Sequence, residues 1–259
     1  MLYHQFRGLF AAGSVAAAFC GVPAIAAPPA PMFNWSGFYM GLNAGGSWGT
    51  SNATTDISVP SLAFFGLCPA CLADFAAKRN QSFNTSGFTG GIQGGYNWQT
   101  GNLLAGFELD FEYFRSAGSK IYFAGLQTPG SITTNIKTDW LFTARPRLGV
   151  VANNWLFYGT GGLAVTGIRA KWSYFDTTNA PCDCENASVS KTKAGWAVGG
   201  GIEAPVSGGW TVGGEYLYVN FGRVSTTGTL LVGVIPADTF SHSIDLKSNI
   251  VRVRLNNKF

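Results

Sequence analysis

Hydrophobic and polar residues alternate with a period of two through most of the chain. A strand makes this pattern when one face is apolar and the other polar. The alternation is sharpest from Leu103 to Phe114, where Leu103, Ala105, Phe107, Leu109, Phe111 and Tyr113 oppose Glu108, Asp110 and Glu112. Seven further stretches carry it, at about 36–49, 86–99, 137–151, 155–172, 192–206, 210–224 and 245–259. In the first, Phe38, Met40, Leu42 and Trp48 oppose Tyr39 and Asn43; in the second, Phe88, Ile92, Tyr96 and Trp98 oppose Thr89, Gln93 and Asn97. The fourth sets Trp140, Phe142, Leu148 and Val150 against Arg145 and Arg147. The sixth sets Trp196, Val198 and Ile202 against Glu203, and the seventh sets Tyr216 and Tyr218 against Glu215. In the last, Val251, Val253, Leu255 and Phe259 oppose Arg252, Arg254, Asn256 and Lys258. Glycines blur the faces of the fifth.

The links between these stretches alternate in length. Thr100-Gly101-Asn102, Ala152-Asn153-Asn154 and Ser207-Gly208-Gly209 read as tight turns. The links at roughly 50–85, 115–136, 173–191 and 225–244 are long. In an antiparallel meander, all the long links then emerge at one end. A β-sandwich does not require that asymmetry. A barrel in a bacterial outer membrane does, with short turns in the periplasm, long loops outside, and lipid against the apolar face. The pattern therefore predicts an all-β fold: a transmembrane eight-stranded antiparallel up-and-down β-barrel with four long extracellular loops.

The start of the chain fits export. Arg7 supplies a positive charge, residues 9–19 a short apolar run, and Ala24-Ile25-Ala26 a small-x-small cleavage site. Residues 1–26 are expected to be a cleaved signal peptide, 27–35 a proline-rich periplasmic leader, and 36–259 the barrel. Phe19 before Cys20 argues against a lipoprotein signal. Beyond the leader, no run approaches the roughly 18 apolar residues of a spanning helix. Removing Arg7 takes the formal charge from +4 to +3, and no basic cluster points to nucleic acid. Abundant glycine, dense aromatics and sparse charge suit curved, lipid-facing strands. Trp48, Trp98, Trp140, Trp155, Trp196 and Trp210 fall near strand ends, as interfacial anchors do.

The polar faces bring together five acids, Glu108, Asp110, Glu112, Glu203 and Glu215, and four arginines, Arg145, Arg147, Arg252 and Arg254. An eight-stranded barrel is only wide enough to be filled by side chains, and buried ions must be paired. A salt-bridged lumen is expected, with an ion-selecting constriction as the alternative. After signal removal Cys68, Cys71, Cys182 and Cys184 remain. In an oxidising exterior they are candidate disulfide cysteines, with three possible connectivities. A thioredoxin-type site lacks its βαβ context, and a zinc site is disfavoured outside the cell. Gly159-Thr160-Gly161-Gly162-Leu163-Ala164 matches a dinucleotide fingerprint only by chance, because no helix follows it. His242, with Ser241, Ser243 and Asp245 beside it, does not make a hydrolase, since a triad is recognised by geometry. No catalytic residue, metal site or cofactor is expected.

Several stretches also resemble a known family. Asn34-Trp35-Ser36-Gly37-Phe38-Tyr39-Met40-Gly41-Leu42-Asn43-Ala44-Gly45 resembles the opening strand of the porin-like surface-antigen family of alphaproteobacterial outer membranes, within the OmpA-like barrel group. Trp140 with Arg145-Pro146-Arg147-Leu148-Gly149 resembles its fourth strand. Gly214-Glu215-Tyr216-Leu217-Tyr218 with Asn220-Phe221-Gly222 resembles its seventh, and Val251 to Asn256 with Phe259 its last. The resemblance implies an eight-stranded outer-membrane barrel, porin or porin-like, with no catalytic residues. The first long loop and its cysteines lie outside it.

Together these readings predict a structural, surface-exposed protein contributing to envelope integrity. The alternatives are a low-conductance porin for small solutes, or binding of an external ligand through the long loops. The expected partners are outer-membrane lipid and, through the C-terminal strand ending at Phe259, the outer-membrane assembly machinery.

Overall fold

The computed structural model describes residues 32–58, 73, 75–77, 79–124, 130–176, 183–232 and 235–259. Eight strands follow in sequence: β1 (Gly37–Ser58), β2 (Asn80–Thr100), β3 (Leu103–Ala124), β4 (Gly130–Ala152), β5 (Trp155–Asp176), β6 (Asp183–Ser207), β7 (Trp210–Val232) and β8 (Ile235–Lys258). Each runs antiparallel to the next, and β8 pairs with β1 to close the ring, with Leu42 opposite Leu255. The even strand number brings Gly37 and Lys258 to one end, where the Phe259 N–H donates to the Phe38 carbonyl at 2.9 Å.

Three two-residue turns lie at that same end. Asn153 and Asn154 both adopt positive φ (49° and 68°), as do Gly208 and Gly209 (57° and 85°). A type I′ hairpin demands this at both central residues, and asparagine and glycine tolerate it.

The lipid band is legible in exposure. Phe38, Met40, Leu42 and Trp48 on β1, Leu103, Phe107, Leu109, Phe111 and Tyr113 on β3, and Val251, Val253 and Leu255 on β8 all point outward. Phe38 and Trp48 are ten residues apart, about 25 Å along a tilted strand and the height of such a band. Trp98, Trp155 and Trp210 stand beside the short turns, while Trp48, Trp140 and Trp196 mark the other border.

The strands do not stop at that border. Each is 21 to 25 residues long, whereas crossing the bilayer takes about 9–11. Pairing continues through most of the residues expected as loops: Thr54 still pairs with Asn80, Ala124 with Gly130, Asp176 with Asp183, and Val232 with Ile235. The reason is a change of phase. Below the upper tryptophans the inner face is polar and the outer apolar. Above them Ile132, Ile136, Ile168, Trp172, Phe240 and Ile244 turn inward, and Asn52, Asn84 and Asn135 turn outward. The outer half is built like a water-soluble barrel, with its own apolar core. The outer wall is interrupted in two places: β6 and β7 are unpaired between Cys184–Leu231 and Trp196–Asn220, and β2 and β3 are unpaired beyond Ser86–Ala117.

The closing seam depends on a close approach. Gly45 faces Arg252 across it, and a Cβ at Gly45 would run into the Val251 carbonyl and lie 2.7 Å from the Arg252 Cα. Gly46 faces outward, and a Cβ there would meet nothing nearer than the Gly87 carbonyl oxygen at 3.9 Å. Gly45→Ala is expected to lower stability by about 1–3 kcal/mol and Gly46→Ala by no more than about 0.5. Urea titration of the heat-modifiable gel band in refolded protein measures both.

Candidate functional site

The lumen holds the one dense constellation of charge among the described residues. Alternation on β3, β4, β6, β7 and β8 sends Glu108, Asp110, Glu112, Arg145, Arg147, Glu203, Glu215, Arg252 and Arg254 to the same interior level, and all nine are buried. Arg145 donates to Glu108 and Asp110, each at 2.8 Å, and to Glu215 at 3.3 Å, while its Nε reaches the Thr143 hydroxyl at 3.0 Å. Arg147 donates to Glu203 at 2.6 Å and Glu108 at 3.2 Å, and its guanidinium lies 3.9 Å from the centre of the Tyr158 ring. Arg252 bridges Asp110 at 2.6 Å and Glu215 at 2.7 Å, and pairs with Glu112. Arg254 reaches Glu215 at 2.9 Å and also pairs with Glu108.

Neutral groups complete the layer. The Tyr39 hydroxyl donates to Glu108 at 2.7 Å and accepts from Arg147 at 2.7 Å. The Tyr158 hydroxyl donates to Glu215 at 2.9 Å and contacts Arg254. Thr89 contacts Glu112, and Asn256 links Glu203 to Gln93. Every one of the eight strands thus supplies a side chain to one connected set. Coulomb attraction at these distances offsets the loss of hydration only because each ion meets several partners.

Apolar layers lie on both sides. Toward the termini, Phe33 and Trp35 fold beneath the ring against Leu104, Leu156 and Tyr158. Two bonds hold them: Phe33 N–H to Asn154 at 3.0 Å and Trp35 N–H to Gln99 at 2.8 Å. Phe33 and Trp35 of the expected leader are therefore packed against the barrel, while Met32 and Asn34 are exposed; residues 27–31 lie outside the described residues. On the other side Phe114, Leu141, Leu217, Phe221 and Ile250 fill the ring. Further out, His242 meets Glu185 and Thr55, each at 3.0 Å, and stacks on Trp172 at 5.1 Å. Above it, Phe75 from the first loop stacks on Phe240 at 5.7 Å, beside Ile132, Tyr174 and Leu230.

Other candidates are dispersed. Asp245 turns outward to Arg223, while His242 faces the interior, so the sequence neighbours of His242 do not surround it in space. Gly159 to Ala164 lies in the middle of β5. Cys184 is disulfide-bonded at the start of β6; Cys68, Cys71 and Cys182 lie outside the described residues. Phe259 is exposed at the closing seam. No group of three or more histidine, cysteine and acidic side chains among the described residues is placed to hold a metal ion. Tyr158, Glu185 and the Phe33–Trp35 cap are missing from the sequence reading. The only signal for Tyr158 is its even spacing from Leu156 and Thr160 on glycine-rich β5.

A closed ring of antiparallel strands, with an aromatic-bordered apolar band outside and ions inside, defines a transmembrane barrel of the bacterial outer membrane. The chain belongs to the outer membrane protein beta-barrel domain family, which matches residues 16–256. It is 31% identical over 243 residues to the 31 kDa outer-membrane immunogenic protein of Brucella melitensis biotype 1, covering 90% of this chain and 87% of that protein. It is also similar to the 22 kDa outer membrane protein of Rhizobium leguminosarum bv. viciae, 34% identical over 33% of this chain and 35% of that one. These relatives agree with the alphaproteobacterial likeness of its strands. Among solved structures, the outer membrane protein OprG from Pseudomonas aeruginosa aligns with 86% of this chain and 96% of its own at 11% identity, with a TM-score of 0.49.

Glu215 touches Arg145, Arg252, Arg254 and Tyr158. Glu215→Ala is expected to cost about 3–5 kcal/mol, because it strands buried guanidiniums. Tyr158→Phe removes a single hydroxyl from the same cluster and is expected to cost about 1–3 kcal/mol. Denaturant unfolding from lipid vesicles measures the two losses.

Proposed function

We propose that this protein is a structural, surface-exposed barrel that contributes to envelope integrity, and that its lumen is plugged. The observation that carries the reading is the interior ionic set. The side chains of Arg145, Arg147, Arg252 and Arg254 have no solvent exposure, and neither do those of Glu108, Asp110, Glu112 and Glu215. A conducting pore of selecting charges keeps them wet; ions that satisfy one another in a space this narrow leave no continuous water path. The apolar layers above and below support the same reading.

A non-enzymatic role is part of this reading; it is supported by relatives named as outer-membrane and immunogenic proteins and by the burial of the single described histidine between Glu185, Thr55 and Trp172. The word immunogenic in the relative's name speaks for exposure of that protein at a cell surface, and the outer half of this barrel takes the same position. Residues 1–26 act as the export signal, and β8 with Phe259 engages the assembly machinery.

Planar-bilayer recording distinguishes this reading from a low-conductance porin. The refolded protein is expected to give no reproducible unit steps above the lipid baseline, and a regular unit conductance would overturn the plugged lumen. Intact mass of the protein isolated from outer membranes is expected to place its first residue at Ala27.

A further inference from the structure

The outer wall of β3–β5, just beyond the membrane border, carries an arrangement that closure of the barrel does not explain. Lys137 on β4 stands directly opposite Arg169 on β5. Lys171 follows two residues along the same outward face, and Arg115 is exposed on neighbouring β3. Like charges directly opposite in a sheet are destabilising. Asp139 is the acid among them, and it binds Arg169 at 2.9 Å. Elsewhere on the outer wall two cations each meet an acid, Arg223 with Asp245 at 3.3 Å and Arg79 with Asp56 at 2.6 Å, and Lys247 on β8 is exposed beside the first pair.

The surroundings give the excess charge a setting. Lys137, Arg169 and Lys171 line an open groove of about 450 Å³ with Ser119 and Asn135. Arg169 also borders a second, smaller groove of about 190 Å³ with Ser190 and Thr192. Immediately toward the membrane, the Trp140 indole covers Gly167, where a Cβ would lie 2.8 Å from its Nε1, and stacks with Phe111 at 6.2 Å. Arg169 is two residues from Gly167, about 7 Å along the strand. The cations therefore stand at headgroup height on the outer leaflet, directly above an exposed apolar wall.

We infer that this face binds the phosphate-bearing headgroup of an outer-leaflet glycolipid, with its acyl chains lying along Phe111, Trp140 and the apolar wall below. A phosphate supplies the counter-charge that Lys137, Arg169 and Lys171 lack in number. The hydroxyl and amide groups of Ser119, Asn135, Ser190 and Thr192 suit a sugar. The contiguous apolar surface favours a lipid over a free anion, which would use the cations alone. The inference is independent of whether the lumen conducts.

The test uses the processed chain refolded into phosphatidylcholine vesicles doped with diphosphoryl lipid A, with bound lipid counted by native mass spectrometry. Lys137→Gln with Lys171→Gln is compared with Arg223→Gln with Lys247→Gln, which removes equal charge from β7 and β8. Heat-modifiable mobility verifies folding of both. The first variant is expected to bind diphosphoryl lipid A about thirtyfold more weakly than the wild type, and the second to match the wild type. Dephosphorylated lipid A is expected to bind weakly to all three. Equal weakening in both variants, or equal binding of the dephosphorylated lipid to the wild type, overturns the proposal. So does patch-dependent binding of soluble dextran sulfate with lipid A binding unaffected, which would assign the face to a soluble polyanion.

Discussion

An eight-stranded barrel encloses a space that side chains alone can fill, and here that space is filled at one level by ions. Each guanidinium or carboxylate withdrawn from water there costs several kcal/mol unless other groups replace its hydration. The replacement is distributed. Arg252 on β8 reaches Asp110 on β3, and Arg145 on β4 reaches Glu215 on β7, across the ring and not along it. Buried ion pairs are often no more stabilising than well-packed apolar groups, so their strength is not the reason to have them. What they do is fix register. Slipping β8 by one residue against its neighbours would turn Arg252 and Arg254 to the lipid, at about 2–4 kcal/mol each near the midplane, and would leave Glu108 and Glu215 without partners.

That same rule made the membrane half of the fold legible. Within the lipid band the two faces of a strand differ as much as chemistry allows, so Leu103–Tyr113 against Glu108–Glu112 can be read without a structure. Above the band both contrast and phase change. The outward face becomes serine, threonine and asparagine, which in isolation read as loop. The inward face becomes apolar, so the period-two signal inverts. On β4 a register shift between Thr138 and Leu141 also moves the inward positions from even to odd numbers. Residues such as Ser131–Lys137 are strand because β3 and β5 pair with them on both sides, a cause that lies outside their own sequence.

The site divides along the same line. Its acids and arginines declare themselves by alternation. Tyr158 does not, because the glycines of β5 dilute the pattern around it, and its use depends on Glu215 and Arg254 arriving from β7 and β8. Glu185 and Thr55 belong to segments that read as loops, and only the extension of β1 and β6 brings them to His242. The Phe33–Trp35 cap follows from a chain that turns under its own first strand, where Lys258 at the far end of the sequence holds the Asn34 carbonyl at 2.6 Å.

Cohesion held in the interior has a consequence for the exterior. Opposed like charges in a sheet cost only about 0.2–1 kcal/mol, which is small beside the loss expected from breaking a buried pair. The barrel can therefore carry Lys137 opposite Arg169 on its outer wall without endangering its closure. If solubility outside the membrane were the only demand there, one-to-one pairs like Arg223 with Asp245 would meet it on every strand. The group of Lys137, Arg169, Lys171 and Arg115 around Asp139 sits where an exposed apolar wall meets the outer-leaflet headgroups, the place where an anion arrives attached to acyl chains. The inner charges are answered by one another and set the shape; the outer ones exceed their local acids, and that excess is what a ligand from the membrane can satisfy.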